Sequence, residues 1–129
     1  MRKFGIIIVI NLFLISYLKG QDTTTKKQCE IILQQCGLVV ACLDLEKEVT
    51  WHQARQLAPD GWRLPSLKEL QCMCQYQWRV HLDERDEYWC MKSTRNSKKA
   101  YSVSMDDCKA EVNRKKKLRS VRYIKDIYE

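Results

Sequence analysis

The feature that most constrains the fold of this 129-residue chain is its cysteine content: Cys29, Cys36, Cys42, Cys72, Cys74, Cys90 and Cys108. In an oxidising compartment such a set forms a disulfide framework, whereas a reducing cytosol favours metal binding or catalysis. Because the number is odd, at least one cysteine is either a free thiol or paired with another chain. Three bonds within the chain allow about 105 pairings, so the sequence leaves the connectivity open.

The N-terminal segment indicates export to an oxidising compartment. A basic start at residues 1–3 precedes the apolar run Phe4–Leu18, and this is the layout of a secretory signal peptide. As a helix the run would reach roughly 22 Å, which is short of the roughly 30 Å core of a bilayer. We therefore predict a signal peptide over residues 1–20, with an uncleaved N-terminal membrane anchor as the alternative. Cleavage would lower the formal net charge from +7 to +4.

Composition and length predict one globular domain after this segment. Hydrophobic residues make up 45% of the chain and charged residues 30%, a balance that supports a packed core. We assign residues 21–36 to a polar N-terminal leader, residues 37–125 to the domain and residues 126–129 to a C-terminal tail. Residues 29–35 are too few for periodicity to decide between helix and strand.

Two capping boxes predict two helices, which begin after Thr50 and Ser66 and have Gln53 and Glu69 as the reciprocal caps. The second helix is expected to end near Gln77. One strand pattern precedes the helices at residues 38–45, and three follow them at residues 88–94, 100–105 and 118–124. Helices before a run of strands indicate an α+β fold, in which two helices pack against an antiparallel sheet. The strand over residues 100–105 is expected to be half-buried, with its serines facing solvent.

Six sequence blocks recur in the order of a known family: the segment 37–44, VTWHQA (49–54), GWRLPSLKEL (61–70), EYW (87–89), the pair Ser93-Thr94 and LRSVR (118–122). In these the chain resembles the Lcl C-terminal domain family, which is named after a collagen-like bacterial adhesin. The resemblance covers roughly residues 37–125. It implies a C-type-lectin-like fold, two helices on a twisted antiparallel sheet, in secreted or envelope proteins of bacteria. Its structural motif maps to Trp51, Gly61, Trp62, Arg63, Leu64, Pro65, Glu69, Leu70, Trp89, Val121 and Arg122.

The resemblance implies no defined catalytic set, and the adhesin that names the family is associated with sulfated polysaccharides. This sequence departs from the family pattern at Cys90 and Met91, which interrupt a run that members often write as YWSST.

The tryptophans are interpreted mainly as structural residues. Trp51, Trp62 and Trp89 are predicted core or connector anchors rather than a sugar-stacking platform, because each offers a large apolar area at a packing position. Trp78 lies in a polar stretch and is the candidate for an exposed, ligand-contacting aromatic side chain, with an ordinary packed loop residue as the alternative.

The isolated arginines are also interpreted as structural or solvated. We expect Arg63 to bind a nearby carboxylate such as Glu69 or Asp44. Alternation along the last strand predicts that Arg119 and Arg122 are solvated cations.

The densest charge cluster is the run Arg114, Lys115, Lys116 and Lys117. Adjacent cations attract a sulfated glycan, a lipid phosphate or another polyanion, although a solvated hairpin tip explains the run equally well. Nucleic acid is not the expected partner, because the chain carries an export signal and no basic-aromatic nucleic-acid motif.

No metal, cofactor or enzyme motif is found in the sequence. Cys72 and Cys74 lie about 200° apart on a helix and therefore face away from each other, so they cannot share an ion. His52 and His81 stand in no ligand motif and are expected at the surface, and the acidic cluster near Asp83 lacks calcium-loop spacing. A third possibility is an enzyme, since formylglycine-generating enzymes share this broad fold class. Their chemistry needs a specific reactive cysteine site, and nothing around Cys90 or Cys108 identifies one.

These observations favour a secreted or periplasmic, non-enzymatic binding domain of the bacterial cell envelope. Its expected partner is an anionic glycan or an envelope protein, bound through the basic run. The alternative is a structural or stabilising envelope protein that acts through protein contacts, or through a covalent dimer formed by the odd cysteine. Membrane association is expected only through the N-terminal segment, if it is not cleaved.

Overall fold

The computed structural model describes residues 29–128. The predicted signal peptide, the leader up to residue 28 and the last residue of the tail lie outside this range. The described chain is a small α+β domain, as predicted. Its elements are β1 (Glu30–Leu33), a 3₁₀ turn (Gln34–Cys36), β2 (Leu38–Ala41), α1 (Trp51–Gln56), α2 (Leu67–Gln75), α3 (Gln77–Val80), β3 (Glu87–Ser93), β4 (Lys99–Ser104), β5 (Ala110–Arg114) and β6 (Ile124–Asp126).

The strands form two antiparallel three-stranded sheets instead of the single predicted sheet, with the orders β1-β2-β6 and β3-β4-β5. The first sheet includes residues 30–33, so this part of the predicted leader belongs to the domain: Ile31 pairs with Val40 of β2. The second includes β5, which has no counterpart in the sequence-based interpretation. Its five residues are mostly exposed, so they lack the apolar alternation by which a strand is recognised.

Both predicted capping boxes are confirmed and fix where the helices begin. Thr50 Oγ1 accepts from the Gln53 amide at 3.3 Å, and Ser66 Oγ accepts from the Glu69 amide at 3.1 Å. Helix α2 ends at Gln75, two residues before the predicted end, and the single turn α3 follows. No helix within residues 29–128 is long and apolar enough to cross a membrane.

The GWRLP connector joins the two sheets. Gly61 has a φ of 86°, which favours glycine, and the Trp62 amide closes the turn by donating to Pro59 O at 2.9 Å. Arg63 then exchanges two backbone hydrogen bonds of 2.9 Å with Ile124 of β6. The carbonyl of Pro65 accepts from the Met91 amide of β3 at 2.8 Å. The connector therefore contacts a strand of each sheet through its backbone.

The interior consists of two hydrophobic clusters. One lies between α2 and the two sheets and contains Leu70, Met73 and Tyr88; the other surrounds Trp51 and Trp89. Both faces of β4 are covered, so the prediction of a solvent-facing serine at Ser102 is wrong: this side chain is fully buried. Its hydroxyl is satisfied there because it donates to a carboxylate oxygen of Glu87.

Three disulfides tie the elements together: Cys29–Cys42, Cys36–Cys72 and Cys74–Cys108. The first closes the β1–β2 hairpin, and the other two anchor α2 on opposite sides, to the 3₁₀ turn and to the segment after β4. Cys72 and Cys74 thus bond in different directions, as their helical spacing predicts. A network of this kind is compatible with an extracellular or periplasmic location.

Candidate anion-binding groove

A groove of about 650 Å³ lies where the start of α1 meets the β3–β4 turn and the end of β5. We call it the basic groove. Its volume is within the range of small-molecule sites, and its mouth is open to solvent. It is lined by Thr50, His52, Asn96, Ser97, Lys98, Lys99, Arg114, Lys115 and Lys116.

The charge of the groove is uncompensated. Five of its nine lining residues are lysine or arginine and none is acidic. Throughout residues 29–128, all six ion pairs with N–O distances up to 4.0 Å involve other cations. Several like charges in one concave surface create a local positive potential that attracts anions and weakens as salt rises.

Backbone hydrogen bonds hold the basic segments in place. The Lys115 amide donates to Lys98 O at 2.8 Å, and the Trp51 amide donates to Lys115 O at 2.9 Å. Lys99 lies directly opposite Arg114 in the β4–β5 register. The cations therefore project from a fixed framework of three elements, which lowers the entropy cost of arranging them around a ligand.

Lys115 is held more firmly than its neighbours. Its Nζ lies 4.2 Å from the ring centroid of Trp51, and the Arg55 guanidinium carbon lies 5.0 Å from the same centroid. Trp51 is only 4% exposed and donates from Nε1 to Cys90 O at 2.9 Å, so its ring cannot turn away. Cation–π attraction thus restrains the ammonium group of one groove residue.

A polar cluster beside the groove supports the end of β5. Asn113 Nδ2 donates to Glu87 Oε2 at 2.6 Å and to Ser102 Oγ at 2.7 Å, while its Oδ1 accepts from Arg119 Nη2 at 2.9 Å. Arg119 also lies 3.3 Å from Glu87 Oε1, and its side chain is 23% exposed. The prediction that Arg119 is a freely solvated cation is therefore wrong.

Arg122 is the clearest correction. It is 3% exposed and donates to Asp44 Oδ1 and to the carbonyl oxygens of Ala41, Val80 and His81. The alternating pattern failed because residues 119 and 120 make only isolated bridges and β6 begins at Ile124. Arg122 is thus a buried structural tie and does not reach a ligand surface.

Arg63 is structural too, and its predicted bond to Glu69 is confirmed. The guanidinium donates to both carboxylate oxygens at 2.8 and 3.0 Å, and it also contacts Asp126 Oδ1 at 2.8 Å. The predicted alternative partner, Asp44, binds Arg122 instead. Hydrogen bonding to Arg63 holds the pKa of Glu69 below its ordinary value.

The structure places the remaining predicted residues as follows. Trp51 and Trp89 are buried core residues, and Trp62 is half-buried with the Lys125 ammonium 4.8 Å from its ring centroid. Trp78 is 71% exposed and is not among the groove residues. The remaining motif residues Leu64, Pro65, Leu70 and Val121 are buried.

Of the predicted basic run, Arg114, Lys115 and Lys116 line the groove, whereas Lys117 lies just outside it. Lys98 and Lys99, which the charge pattern does not predict, supply the remaining positive charge of the groove. Their proximity to the run depends on the β4–β5 pairing, so recognising β5 as a strand would have revealed them.

The described residues offer no grouping of three or more metal-binding side chains. The unpaired cysteine is Cys90, which is fully buried, and desolvation raises its thiol pKa to about 12. A thiol protonated to that extent is a poor nucleophile, and its burial argues against an intermolecular disulfide in the folded state.

No protein-family model and no curated protein sequence matches this chain. The resemblance to the Lcl C-terminal domain therefore depends on the sequence blocks themselves.

Proposed function

We propose that this protein is an exported, non-enzymatic binding domain of the bacterial cell envelope, related to the Lcl C-terminal domain family and C-type-lectin-like in fold. Its ligand is an anionic polysaccharide that occupies the basic groove. The observation that carries the proposal is the convergence of five cations from two chain segments on one groove without an acidic residue among its lining.

The chemistry of the lining favours sulfate and carboxylate groups on a flexible chain. Lysine ammonium groups act as point charges without a demand for one fixed ligand geometry, which suits a polymer with repeating anionic groups. Asn96, Ser97 and Thr50 add polar groups that can hydrogen-bond sugar hydroxyls. Because the groove is open to solvent, a long polymer can lie in it and extend beyond both sides.

Competing functions lack comparable support. A covalent structural dimer would need an accessible odd cysteine, yet Cys90 is buried and the other six cysteines are paired within the chain. An uncompensated basic groove, by contrast, is costly to the folded domain through self-repulsion and is explained by a ligand.

Retention on immobilised heparin and dextran sulfate, with unmodified dextran as the blank matrix, tests the proposal. We expect the exported domain to stay bound at about 0.15 M salt and to elute only above it. At that ionic strength attraction between charges more than roughly 8 Å apart is screened, whereas groove cations in direct contact with sulfate groups lie closer than that. The double variant Lys98→Gln/Arg114→Gln should elute at clearly lower salt.

The matched control is Lys47→Gln/Lys68→Gln, which removes two exposed cations that do not line the groove. Equal losses in the two double variants would mean that net charge, and not the groove, determines retention. Passage of the unaltered domain through both sulfated matrices at low salt would contradict the proposal outright.

A further inference from the structure

A second surface, which shares no lining residue with the basic groove, carries an exposed aromatic ring. Trp78 is 71% exposed. Among the tryptophan and tyrosine side chains of residues 29–128, only Tyr128, near the C-terminus, is more exposed. Beside it lies an open depression of about 440 Å³ lined by Gln77, His81, Leu82 and Glu84. We call Trp78 and this depression the Trp78 site.

The backbone that carries Trp78 is rigid although α3 is only one turn long. The buried Arg122 donates to Val80 O at 2.6 Å and to His81 O at 3.1 Å, two and three residues after the tryptophan. Gln77 Nε2 donates to the carbonyls of Cys74 and Met105 at 3.0 Å each. An exposed indole on a pinned backbone loses little conformational freedom on binding a ligand.

The groups around the ring match the chemistry of a sugar. An indole face packs against the C–H face of a pyranose, since both are flat and apolar. A carboxylate, an imidazole and a side-chain amide supply donors and acceptors for hydroxyl groups at the ring edge. Because Gln77 uses its Nε2 internally, its Oε1 is the atom left to accept from a hydroxyl.

The charge of this surface differs from that of the groove. One cation, Arg79, whose guanidinium carbon lies 5.7 Å from the Trp78 ring centroid, stands near one carboxylate, Glu84. With one cation and one carboxylate, the Trp78 site lacks the excess of positive charge that the basic groove offers to a polyanion. The other exposed apolar residue of this region, Ile32, lines a separate depression together with Arg79. An isolated ring among polar groups suits a sugar better than a continuous apolar protein contact.

We propose that the Trp78 site binds a neutral hexopyranose unit of a polysaccharide, independently of the basic groove. The domain would then recognise two features of an envelope or host glycan: anionic groups at the groove and an uncharged sugar ring at Trp78. Binding at this site depends on stacking and hydrogen bonds, so it should be nearly insensitive to salt, in contrast to groove binding.

Native gel electrophoresis in gels containing dextran, yeast mannan or laminarin tests the site. We expect retardation by at least one of these neutral polymers, loss of that retardation in Trp78→Ala, partial retention in Trp78→Phe, and no change in the aromatic surface control Tyr128→Ala. A weakening of about tenfold in Trp78→Ala would correspond to about 1.4 kcal/mol. Because Trp78 is exposed, thermal unfolding of Trp78→Ala should match that of the unaltered domain.

The result separates this site from the proposed function. Trp78→Ala should keep its retention on heparin, and Lys98→Gln/Arg114→Gln should keep its retardation by the neutral polymer. Migration unaffected by all three polymers would overturn the proposal, as would equal retardation of Trp78→Ala. Sedimentation that reveals a dimer abolished by Trp78→Ala would also overturn it, because the ring would then be a protein contact.

Discussion

Arg122 Nε lies 2.8 Å from Asp44 Oδ1 across 78 residues of sequence, and the arginine side chain is 3% exposed. The second carboxylate oxygen of Asp44 accepts from the hydroxyl of Tyr88 at 2.8 Å. The pair thus joins the loop after β2, the segment before β6 and β3. Since Arg122 also holds the carbonyls of Val80 and His81, it links the fold to the backbone of the Trp78 site.

Removal of the Arg122 guanidinium should therefore be among the most damaging single changes. Arg122→Met would leave the Asp44 carboxylate and three carbonyl oxygens without their donor, and we expect a loss of about 3–5 kcal/mol in unfolding free energy. Urea denaturation followed by circular dichroism measures it. Arg119→Met is the control, because Arg119 is more exposed and should cost less. Equal stability of Arg122→Met and the unaltered domain would contradict the structural role.

The Arg122 case shows what sequence patterns can and cannot predict here. Local signals worked: both capping boxes predict the observed helix starts, and the bond between Arg63 and Glu69 follows from their six-residue separation across a turn. Long-range relations did not follow. Nothing in the neighbouring sequence distinguishes Arg122 from an ordinary solvated arginine. It is buried because its guanidinium donates hydrogen bonds to four oxygen atoms that are distant in sequence.

Only part of the basic groove could be predicted from the sequence, because the rest depends on contacts between distant segments. The run Arg114–Lys117 is visible as a charge cluster, but Lys98 and Lys99 join it only through the pairing of β4 with β5. The strand β5 shows neither the two-residue apolar alternation of a strand nor the 3.6-residue period of a helix, because its residues are almost all exposed. The disulfide connectivity was open for a similar reason: it depends on tertiary proximity, which spacing along the chain does not encode.

The Cys90 thiol should be unreactive in the native protein. It is fully buried and desolvation raises the pKa of its thiol to about 12, so thiolate is scarce at neutral pH. We expect no reaction with Ellman's reagent under native conditions and one reactive thiol per chain in guanidinium chloride without reductant. Rapid native modification, or a covalent dimer on a non-reducing gel, would contradict the assignment of Cys90 as the buried free cysteine.

Glu69 should make stability depend on pH. Its pKa is lowered chiefly by hydrogen bonding to Arg63, so the unfolded chain takes up a proton at a higher pH than the folded one. The contribution is therefore present above the ordinary glutamate pKa and disappears as pH falls through the lowered folded value. Glu69→Gln keeps an acceptor for the Ser66 amide and removes only the charge.

We expect Glu69→Gln to lose about 1 kcal/mol near neutral pH, a modest value because the pair is partly exposed. The difference between variant and unaltered domain should vanish well below the ordinary glutamate pKa, where both are uncharged. Paired urea titrations at neutral and strongly acidic pH measure this. A difference that is the same at both pH values would show that Glu69 acts through shape alone.

Lys115 and Lys116 are adjacent in the groove and should nevertheless behave differently. The Lys115 ammonium packs on the Trp51 ring at 4.2 Å, whereas Lys116 is exposed. Lys115→Gln should therefore lower both the unfolding free energy, by about 0.5–1 kcal/mol, and retention on heparin. Lys116→Gln should lower retention alone, because a solvated cation contributes to the groove potential without stabilising the fold. Thermal unfolding and salt elution of the two variants separate these effects. If both variants unfold at the same temperature as the unaltered domain, the Trp51 contact does not anchor the groove, and Lys115 is an ordinary surface charge.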